Sequence, residues 1–144
     1  MAVSSPKDSA KMSDLLAIRD VQNQYGVAID FRQWHDLEQC FSAECDIDYG
    51  VRGRWSRASD FVRWAAEYHE PLGPTLHQMS SHTATVTSAS ATASCYVHAL
   101  LTTADRASAT HVYARYQDEL TKADGIWVIV HRSTESIWRE SSSP

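Results

Sequence analysis

The sequence has no run of about 18 apolar residues, which is the length that a helix needs to span a bilayer. The first residues, Met1 to Asp8, also lack the apolar segment of a secretory signal peptide. These two absences predict a soluble protein that is not exported. We therefore expect a cytoplasmic location and no contact with membranes.

Cysteine is scarce, since Cys40, Cys45 and Cys95 are the only three and none are spaced as Cys-x-x-Cys. An odd number without that motif argues against a disulfide framework or a zinc knuckle, so we interpret all three as reduced, partly buried thiols. The seven histidines include no His-x-His or His-Glu-x-x-His spacing, so no metal ion is expected.

Motifs for nucleotide binding and for an activated nucleophile are lacking too: there is no Gly-x-Gly-x-x-Gly, no P-loop and no Gly-x-Ser-x-Gly. We therefore expect no cofactor. The formal net charge is −5, and basic residues are scattered except for Arg52, Arg54 and Arg57, a group more typical of a surface loop than of a phosphate site. Nucleic acid is not an expected partner.

The composition that is present suits one globular domain with a single core. The chain has 144 residues, of which 43% are hydrophobic and 22% charged. Residues 1–12 and 139–144 are polar and terminal, and we predict that they are flexible tails. The domain is thus expected to span residues 13–138.

Helices are predicted in the first half of this domain. Ser13 is the expected N-cap of the first helix. A short second helix is predicted from Trp34 to Phe41, and a third from Ser59 to His69. The first helix has an amphipathic stripe at three- and four-residue steps, formed by Leu15, Ile18, Val21, Gln22, Tyr25 and Ile29.

Strands are predicted in between and afterwards. Cys45 to Gly50 alternates apolar and acidic residues, which places Cys45, Ile47 and Tyr49 on one face of a strand. Long strands are predicted over 75–87, 91–103, 108–121 and 126–137, with Asp124-Gly125 as a hairpin turn. This order predicts an α+β fold in which helices cover one face of a strongly bent, mostly antiparallel sheet.

Asp30 stands out because its neighbours, Val27 to Phe31, are otherwise apolar. It either caps a turn, without functional meaning, or points inward as an acid or base whose pKa desolvation raises. A histidine beside a carboxylate is suited to moving protons near pH 7, and His77 is the candidate partner if the first helix closes over the sheet. His82 lies five residues further on, so we expect it on the opposite face from His77.

Aromatic residues are the remaining candidates for a site. Tyr25 and Tyr49 are suited to hold a carbonyl oxygen as negative charge develops on it. Trp127 and Trp138 are predicted to belong to the core. The candidates for contacting a substrate are Trp34, Trp64, His98 and Tyr116, for which an ordinary structural role is the alternative.

Several short motifs, taken in their order and spacing over residues 13–138, resemble a SnoaL-like domain of the nuclear-transport-factor-two-like superfamily. These motifs are Ala17-Ile18-Arg19-Asp20, Asp46-Ile47-Asp48-Tyr49, Tyr113 to Leu120 and Asp124-Gly125-Ile126-Trp127. Within the superfamily, the pattern of Asp30, Trp34, Tyr49 and His77 is most similar to scytalone dehydratases. The pair of Tyr25 and Asp30 is also similar to bile-acid seven-alpha-dehydratases.

The resemblance implies a cone-shaped barrel and a cofactor-free enzyme in which His77, polarised by Asp30, removes a proton next to a carbonyl of a small hydrophobic substrate. Scytalone dehydratases have a second pocket histidine, whereas the matching stretch here is Leu101-Thr102-Thr103, and their polar Ser and Asn fall at Ala114 and Tyr116. Dehydration, isomerisation, polyketide cyclisation and dehydrohalogenation are therefore all open, as is a non-catalytic ligand-binding or dimerisation module. Family analogy alone implies a homodimer or higher homo-oligomer.

Overall fold

The computed structural model describes residues 5–142, which form helices first and a sheet of long strands afterwards. In chain order the elements are α1 (Pro6–Asp30), α2 (Trp34–Gln39), β1 (Phe41–Asp48), a 3₁₀ helix (Gly50–Arg52), β2 (Arg54–Arg57), α3 (Ala58–His69), β3 (Leu72–Thr87), β4 (Ser90–Thr103), β5 (Ala109–Ala123) and β6 (Ile126–Ser142). No helix of the described range is both long enough and apolar enough to cross a membrane.

The six strands form a single sheet in the order β2-β1-β6-β5-β4-β3. Among the strand pairs of residues 5–142, only that of β1 and β6 is parallel. Asp124 and Gly125 have φ of +53° and +78°, as a two-residue hairpin turn between β5 and β6 requires. The predicted α+β class is confirmed.

Helix α1 begins well before the N-cap predicted at Ser13. Ser5 Oγ accepts a hydrogen bond from the Asp8 N–H at 3.2 Å, and the Asp8 carboxylate accepts one from the Ser5 N–H at 3.3 Å. This is a capping box, and Pro6 suits the first helical turn. Residues 6–12 are therefore helical, and residues 139–142 belong to β6, so both extend elements of the domain. The rest of the predicted tails, residues 1–4 and 143–144, lies outside the described residues.

The predicted stripe of α1 packs inward, with Ile18, Tyr25 and Ile29 no more than 2% exposed. Gly26 lies directly on β3, because a Cβ at Gly26 would be 3.1 Å from His77 Cβ and 3.2 Å from the His77 carbonyl oxygen. These distances are shorter than ordinary Cβ contacts, so a larger residue would require the strand or the helix to shift by a few tenths of an ångström. This close approach of helix to strand brings the last residue of α1, Asp30, beside β3.

The arginine group predicted to lie in a loop is partly in a strand. Arg54 and Arg57 belong to β2, a four-residue edge strand, while Arg52 ends the 3₁₀ helix. The Arg54 guanidinium binds both carboxylate oxygens of Asp46 on β1, at 2.8 and 2.7 Å. Pairing with β1 thus forms a strand that the charged local sequence does not predict.

A β-bulge in β3 overturns the expectation that His77 and His82 face opposite sides. The register with β4 shifts between Ser80 and Thr83, and Ser81 has φ of +51°. The extra residue reverses the alternation beyond it. Consequently both histidines contact α1, His77 at Asp30 and His82 at Gln22, with His82 Nδ1 2.8 Å from Gln22 Oε1.

The core lies between the helices and the inner face of the sheet. Trp127 is buried there as predicted, but Trp138 is 61% exposed, so its assignment to the core is wrong. Residues 135–142 of β6 are all exposed, because the strand extends beyond the part that packs in the core. The inward residues of β4 are mostly small, namely Ala91, Ala93, Cys95, Val97, Ala99 and Leu101.

Candidate active site

The carboxylate of Asp30 and the imidazole of His77 form a pair between the end of α1 and β3. Asp30 Oδ1 is 2.7 Å from His77 Nδ1, and Asp30 Oδ2 accepts a hydrogen bond from the His77 backbone N–H, also at 2.7 Å. The two side chains are only 17% and 7% exposed. Because an ionised carboxylate only accepts, Nδ1 carries the proton of the neutral imidazole, and Nε2 presents its lone pair.

The electrostatics of Asp30 differ from the sequence-based expectation. Burial raises the pKa of its carboxyl group, but hydrogen bonds from the His77 ring, the His77 backbone and Thr75 Oγ1 outweigh that effect and lower the pKa below its usual value. The expected rise in the pKa of Asp30 is therefore wrong. Asp30 is an ionised group that orients His77 and does not itself take up a proton near neutral pH.

Arg32 holds in place the backbone and the threonine next to this pair. It has φ of +57°, and its guanidinium donates to the Ile29 carbonyl oxygen at 2.7 Å, to Thr75 Oγ1 at 2.9 Å and to the Gly73 carbonyl oxygen at 3.0 Å. The Thr75 hydroxyl that accepts from Arg32 is left to donate its own hydrogen to Asp30. The guanidinium thus ties the end of α1 to the start of β3.

Three tyrosine hydroxyls, from α1, β5 and the residue that follows β1, meet in the same cavity wall as His77. Tyr25 Oη lies 2.6 Å from Tyr49 Oη, and Tyr116 Oη donates to Tyr25 Oη at 3.4 Å. The rings of Tyr25 and His77 are 6.4 Å apart, edge to face. Burial raises the pKa of both Tyr25 and Tyr116 well above the usual value, so their hydroxyls stay protonated and able to donate.

A buried guanidinium lies beneath this tyrosine cluster. Arg132 is fully buried, binds both oxygens of Asp118 at 2.7 and 2.8 Å, and sits 4.0 Å from the ring centre of Tyr116 and 4.4 Å from that of Tyr25. Burial alone lowers the pKa of Arg132, but the charge and hydrogen bonds of Asp118 hold it well above its usual value. A fixed positive charge therefore lies under the two rings.

His77 and the tyrosine cluster open onto one cavity of about 460 Å³. This volume is within the range of small-molecule sites. Apolar side chains from α1, α3, β4 and β5 form most of its wall. Its polar lining residues are Tyr25, Tyr49, Tyr68, Tyr116, His69, His77, Thr134, Ser136, Arg52 and Arg139.

Most of the residues singled out from the sequence converge here. Tyr25, Tyr49, Trp64, His77 and Tyr116 line the cavity. Asp30 lies behind His77, bonded to the Nδ1 side of the ring.

Two of the predicted substrate contacts do not line the cavity. Trp34 packs against the ring of His69, with centroids 6.1 Å apart. His98 lies on the other face of β4, since its neighbours Val97 and Ala99 are the residues that line the cavity. There it stacks on Tyr113 at 4.5 Å, so its assignment to the pocket is corrected.

Two functional candidates were not expected from the sequence. His69 follows Phe61, Val62 and Ala65 on the buried face of α3, so the helical period was a usable signal. Arg132 gave no such signal: alternation from Trp127 would place it outside, but the register shift between Glu119 and Leu120 turns it inward.

The sequence matches the family model of the SnoaL-like domain over residues 10–133. The chain belongs to the SnoaL-like family. No curated protein sequence matches it.

Solved structures show how widely this SnoaL-like fold occurs. One similar structure is a protein of Novosphingobium aromaticivorans assigned as a scytalone dehydratase, with 17% identity, 92% of this chain and 89% of that chain covered, and a TM-score of 0.85. Another is a type 2 hexachlorocyclohexane dehydrochlorinase (LinA), with 16% identity, coverage of 94% and 93%, and a TM-score of 0.83.

A third similar structure, also from Novosphingobium aromaticivorans, is assigned as an aromatic ring hydroxylase, with 17% identity, coverage of 91% and 94%, and a TM-score of 0.82. At these identities the comparisons establish the cone-shaped α+β fold alone. The reactions named for the three structures differ, so the SnoaL-like fold does not by itself select a reaction.

Proposed function

We propose that the protein is a cofactor-independent lyase or isomerase that removes a proton next to a carbonyl group of a hydrophobic cyclic or polyketide-type metabolite. The observation that carries the proposal is the Asp30 and His77 pair at 2.7 Å beside an apolar cavity. A carboxylate that fixes the tautomer leaves the other ring nitrogen as a positioned general base.

His77 Nε2 is the base in this mechanism. It takes the proton from the carbon, and the electron pair of the broken C–H bond moves into the carbonyl group to form an enolate. Asp30 stabilises the imidazolium that results, because its carboxylate is ionised and hydrogen-bonded to Nδ1. Enclosure of the pair in a largely apolar site strengthens this interaction.

The tyrosine cluster is suited to the enolate oxygen. Tyr25 and Tyr49 have adjacent hydroxyl groups in the same cavity wall as His77, and the guanidinium of the Arg132 and Asp118 pair lies 4.4 Å from the centre of the Tyr25 ring. Donors that are already in place when charge develops lower the barrier without reorganising. The enolate then expels a group from the adjacent carbon or takes the proton back from His77 at another position.

The group that leaves defines the reaction. Loss of hydroxide, which takes up the proton held by His77, is dehydration; loss of halide is dehydrohalogenation; and return of the proton elsewhere is isomerisation. A polyketide cyclase would use the same base, with the enolate carbon attacking a second carbonyl group of the substrate. Of these reactions we favour dehydration, on the pattern shared with scytalone dehydratases.

A non-catalytic binding module is the alternative. An exposed Asp30, or a cavity filled by Tyr116 and Trp64, would favour it. Instead Asp30 is 17% exposed, and Tyr116 and Trp64 form the wall of an open cavity. Both observations support an enzyme.

Proton abstraction can be tested before the natural substrate is known. Cyclic ketones incubated with the protein in D₂O should exchange the hydrogen next to the carbonyl group, as followed by NMR. The variants His77→Ala and Asp30→Asn should each lower the exchange rate at least about 100-fold while remaining folded. The matched controls His35→Ala and Asp36→Asn, at exposed positions of α2, should leave the rate unchanged.

Exchange at the wild-type rate in either His77→Ala or Asp30→Asn would remove that residue from the mechanism. Tight binding of ketones to the wild type without any exchange would favour the binding module.

A further inference from the structure

His69 is a second histidine in the wall of the cavity, contributed by the last turn of α3. Its residue exposure is only 5%. The ring is held between Tyr68 and Trp34, at centroid distances of 5.3 and 6.1 Å, and lies 6.0 Å from the ring of His77. It is therefore fixed in position close to the proposed base.

The hydrogen bond of His69 to its own helix fixes its tautomer. Nδ1 lies 2.7 Å from the Ala65 carbonyl oxygen. A carbonyl oxygen only accepts, so Nδ1 carries the hydrogen and Nε2 is left as an acceptor. This Nε2 is buried and has no hydrogen-bond partner among residues 5–142.

A buried acceptor without a partner is costly, and a phenyl ring would fill the same space without that cost. The arrangement is understandable if a ligand in the cavity supplies the missing donor.

His69 remains an acceptor through the proposed reaction. The pKa of His69 is lowered to about 4, chiefly by burial, and a positive charge on His77 acts in the same direction. The imidazolium formed at His77 thus keeps His69 neutral. His69 is consequently not a replacement for the second acid-base histidine of scytalone dehydratases.

We propose that His69 is a specificity-determining residue whose Nε2 accepts a hydrogen bond from a hydroxyl group of the substrate. The two imidazole rings are 6.0 Å apart, so one small ring compound is large enough to contact both. The substrate class is thus a ring compound with a hydroxyl near its reactive carbon. The assignment of a reactive carbon next to His77 rests on the proposed function, whereas the hydrogen bond between a ligand hydroxyl and His69 does not.

An acceptor contact makes a hydroxyl oxygen more electron-rich, which opposes its departure as hydroxide. The group bound to His69 is therefore a hydroxyl that the product retains. This separates recognition at His69 from the bond-breaking step at His77.

Two probes of nearly equal shape test the contact: 2-naphthol has a hydroxyl donor, and 2-fluoronaphthalene has none. Dissociation constants are measured by fluorescence titration at neutral pH. The wild type should prefer 2-naphthol by at least about tenfold, the effect of one buried hydrogen bond whose loss leaves the acceptor unpaired. In His69→Phe the preference should fall below about threefold, with unchanged affinity for 2-fluoronaphthalene.

His69→Gln is the conservative variant, because its amide oxygen can accept near the position of Nε2, and it should restore most of the preference. If His69→Phe does not fold, His69→Leu takes its place. The proposal is overturned if the wild type does not prefer 2-naphthol, or if the preference persists in the apolar variant. Since binding alone is measured, failure of proton exchange would refute the proposed function and leave this result standing.

Discussion

His77 Nδ1 and the backbone nitrogen of His77 bind the two different oxygens of the Asp30 carboxylate, both at 2.7 Å. One side chain at the end of α1 therefore fixes both the tautomer of the imidazole and the position of the β3 backbone relative to the helix. Any change at Asp30 acts on chemistry and on packing together, so the two effects need separate measurements.

The lowered pKa of Asp30 predicts how its contribution to stability depends on pH. A carboxyl whose pKa is depressed by folding stabilises the native state above its unfolded pKa of about 3.9, and this stability is lost as pH falls through the lower native pKa. Wild type should therefore exceed Asp30→Asn in unfolding free energy from about pH 5 to pH 7, with the difference shrinking below about pH 4. Urea denaturation across this range measures it.

The variant Asp36→Asn is the control for that experiment, because Asp36 is exposed on α2. The difference in unfolding free energy between wild type and Asp36→Asn should not shrink in the same way as the pH falls. A difference between wild type and Asp30→Asn that grows as the pH falls would contradict the assignment of Asp30 as an ionised partner of His77.

Removing single hydroxyl groups from the tyrosine cluster should slow the reaction without unfolding the protein. The 2.6 Å hydrogen bond between Tyr25 Oη and Tyr49 Oη uses one of their two hydrogens, so one of the two hydroxyls is left to donate to the enolate oxygen. Tyr25→Phe and Tyr49→Phe each break this pair, and losses of about 100-fold in the rate of ketone exchange are expected. Tyr96→Phe is the control, since Tyr96 is 44% exposed on the other face of the sheet. Unchanged exchange in both cluster variants would mean that other donors hold the oxygen.

The local parts of the structure were predictable because their signals are local. The stripe of α1, for example, repeats with the helical period. The pairing of Asp30 with His77 is not local, since 47 residues separate them, and it was predicted with the help of the family resemblance. The face on which His98 lies was not predictable. Val97, Ala99 and Leu101 alternate with Tyr96, His98 and Leu100, so both faces of β4 look partly apolar.

Bulges explain the other misplacements. The shifts at Ser81 in β3 and between Glu119 and Leu120 on β5 reverse which side chains face inward, and they decide the positions of His82 and Arg132. A bulge depends on the pairing of distant strands, so the alternation within one strand does not reveal it. The cap at Ser5 was a different case, since the Ser-x-x-Asp signal was present in the sequence.

Breaking the buried pair of Arg132 and Asp118 should be strongly destabilising. Either Arg132→Met or Asp118→Leu leaves one charge buried without its partner, which costs about 3–5 kcal/mol. The double variant should cost much less than the sum of the two, because it leaves neither charge behind. Urea denaturation of all four proteins gives this double-mutant cycle.

Arg115 and Glu135 provide the surface comparison for that cycle, with Arg115 Nη1 2.7 Å from Glu135 Oε2. Solvent screens this pair, so Arg115→Met should change the stability little. Additive losses for Arg132→Met and Asp118→Leu would show that the two residues do not stabilise each other.

Gly26→Ala separates helix propensity from the packing of α1 on β3. Within an exposed helix this change would stabilise by about 1 kcal/mol. Here the new methyl group would lie 3.1 Å from His77 Cβ and 3.2 Å from the His77 carbonyl oxygen, and His77 cannot retreat because β4 and Asp30 hold it. Overpacking costs about 1–3 kcal/mol, so we expect a net loss of stability.

The same substitution should lower the rate of ketone exchange, because moving α1 away from β3 lengthens the Asp30 and His77 contacts. Ser13→Ala, at an exposed position of α1, reports the propensity effect alone and should not reduce stability or exchange. Thermal unfolding and the exchange assay on the three proteins decide between the two effects. A Gly26→Ala protein more stable than wild type, with unchanged exchange, would show that the helix does not need glycine to place Asp30 on His77.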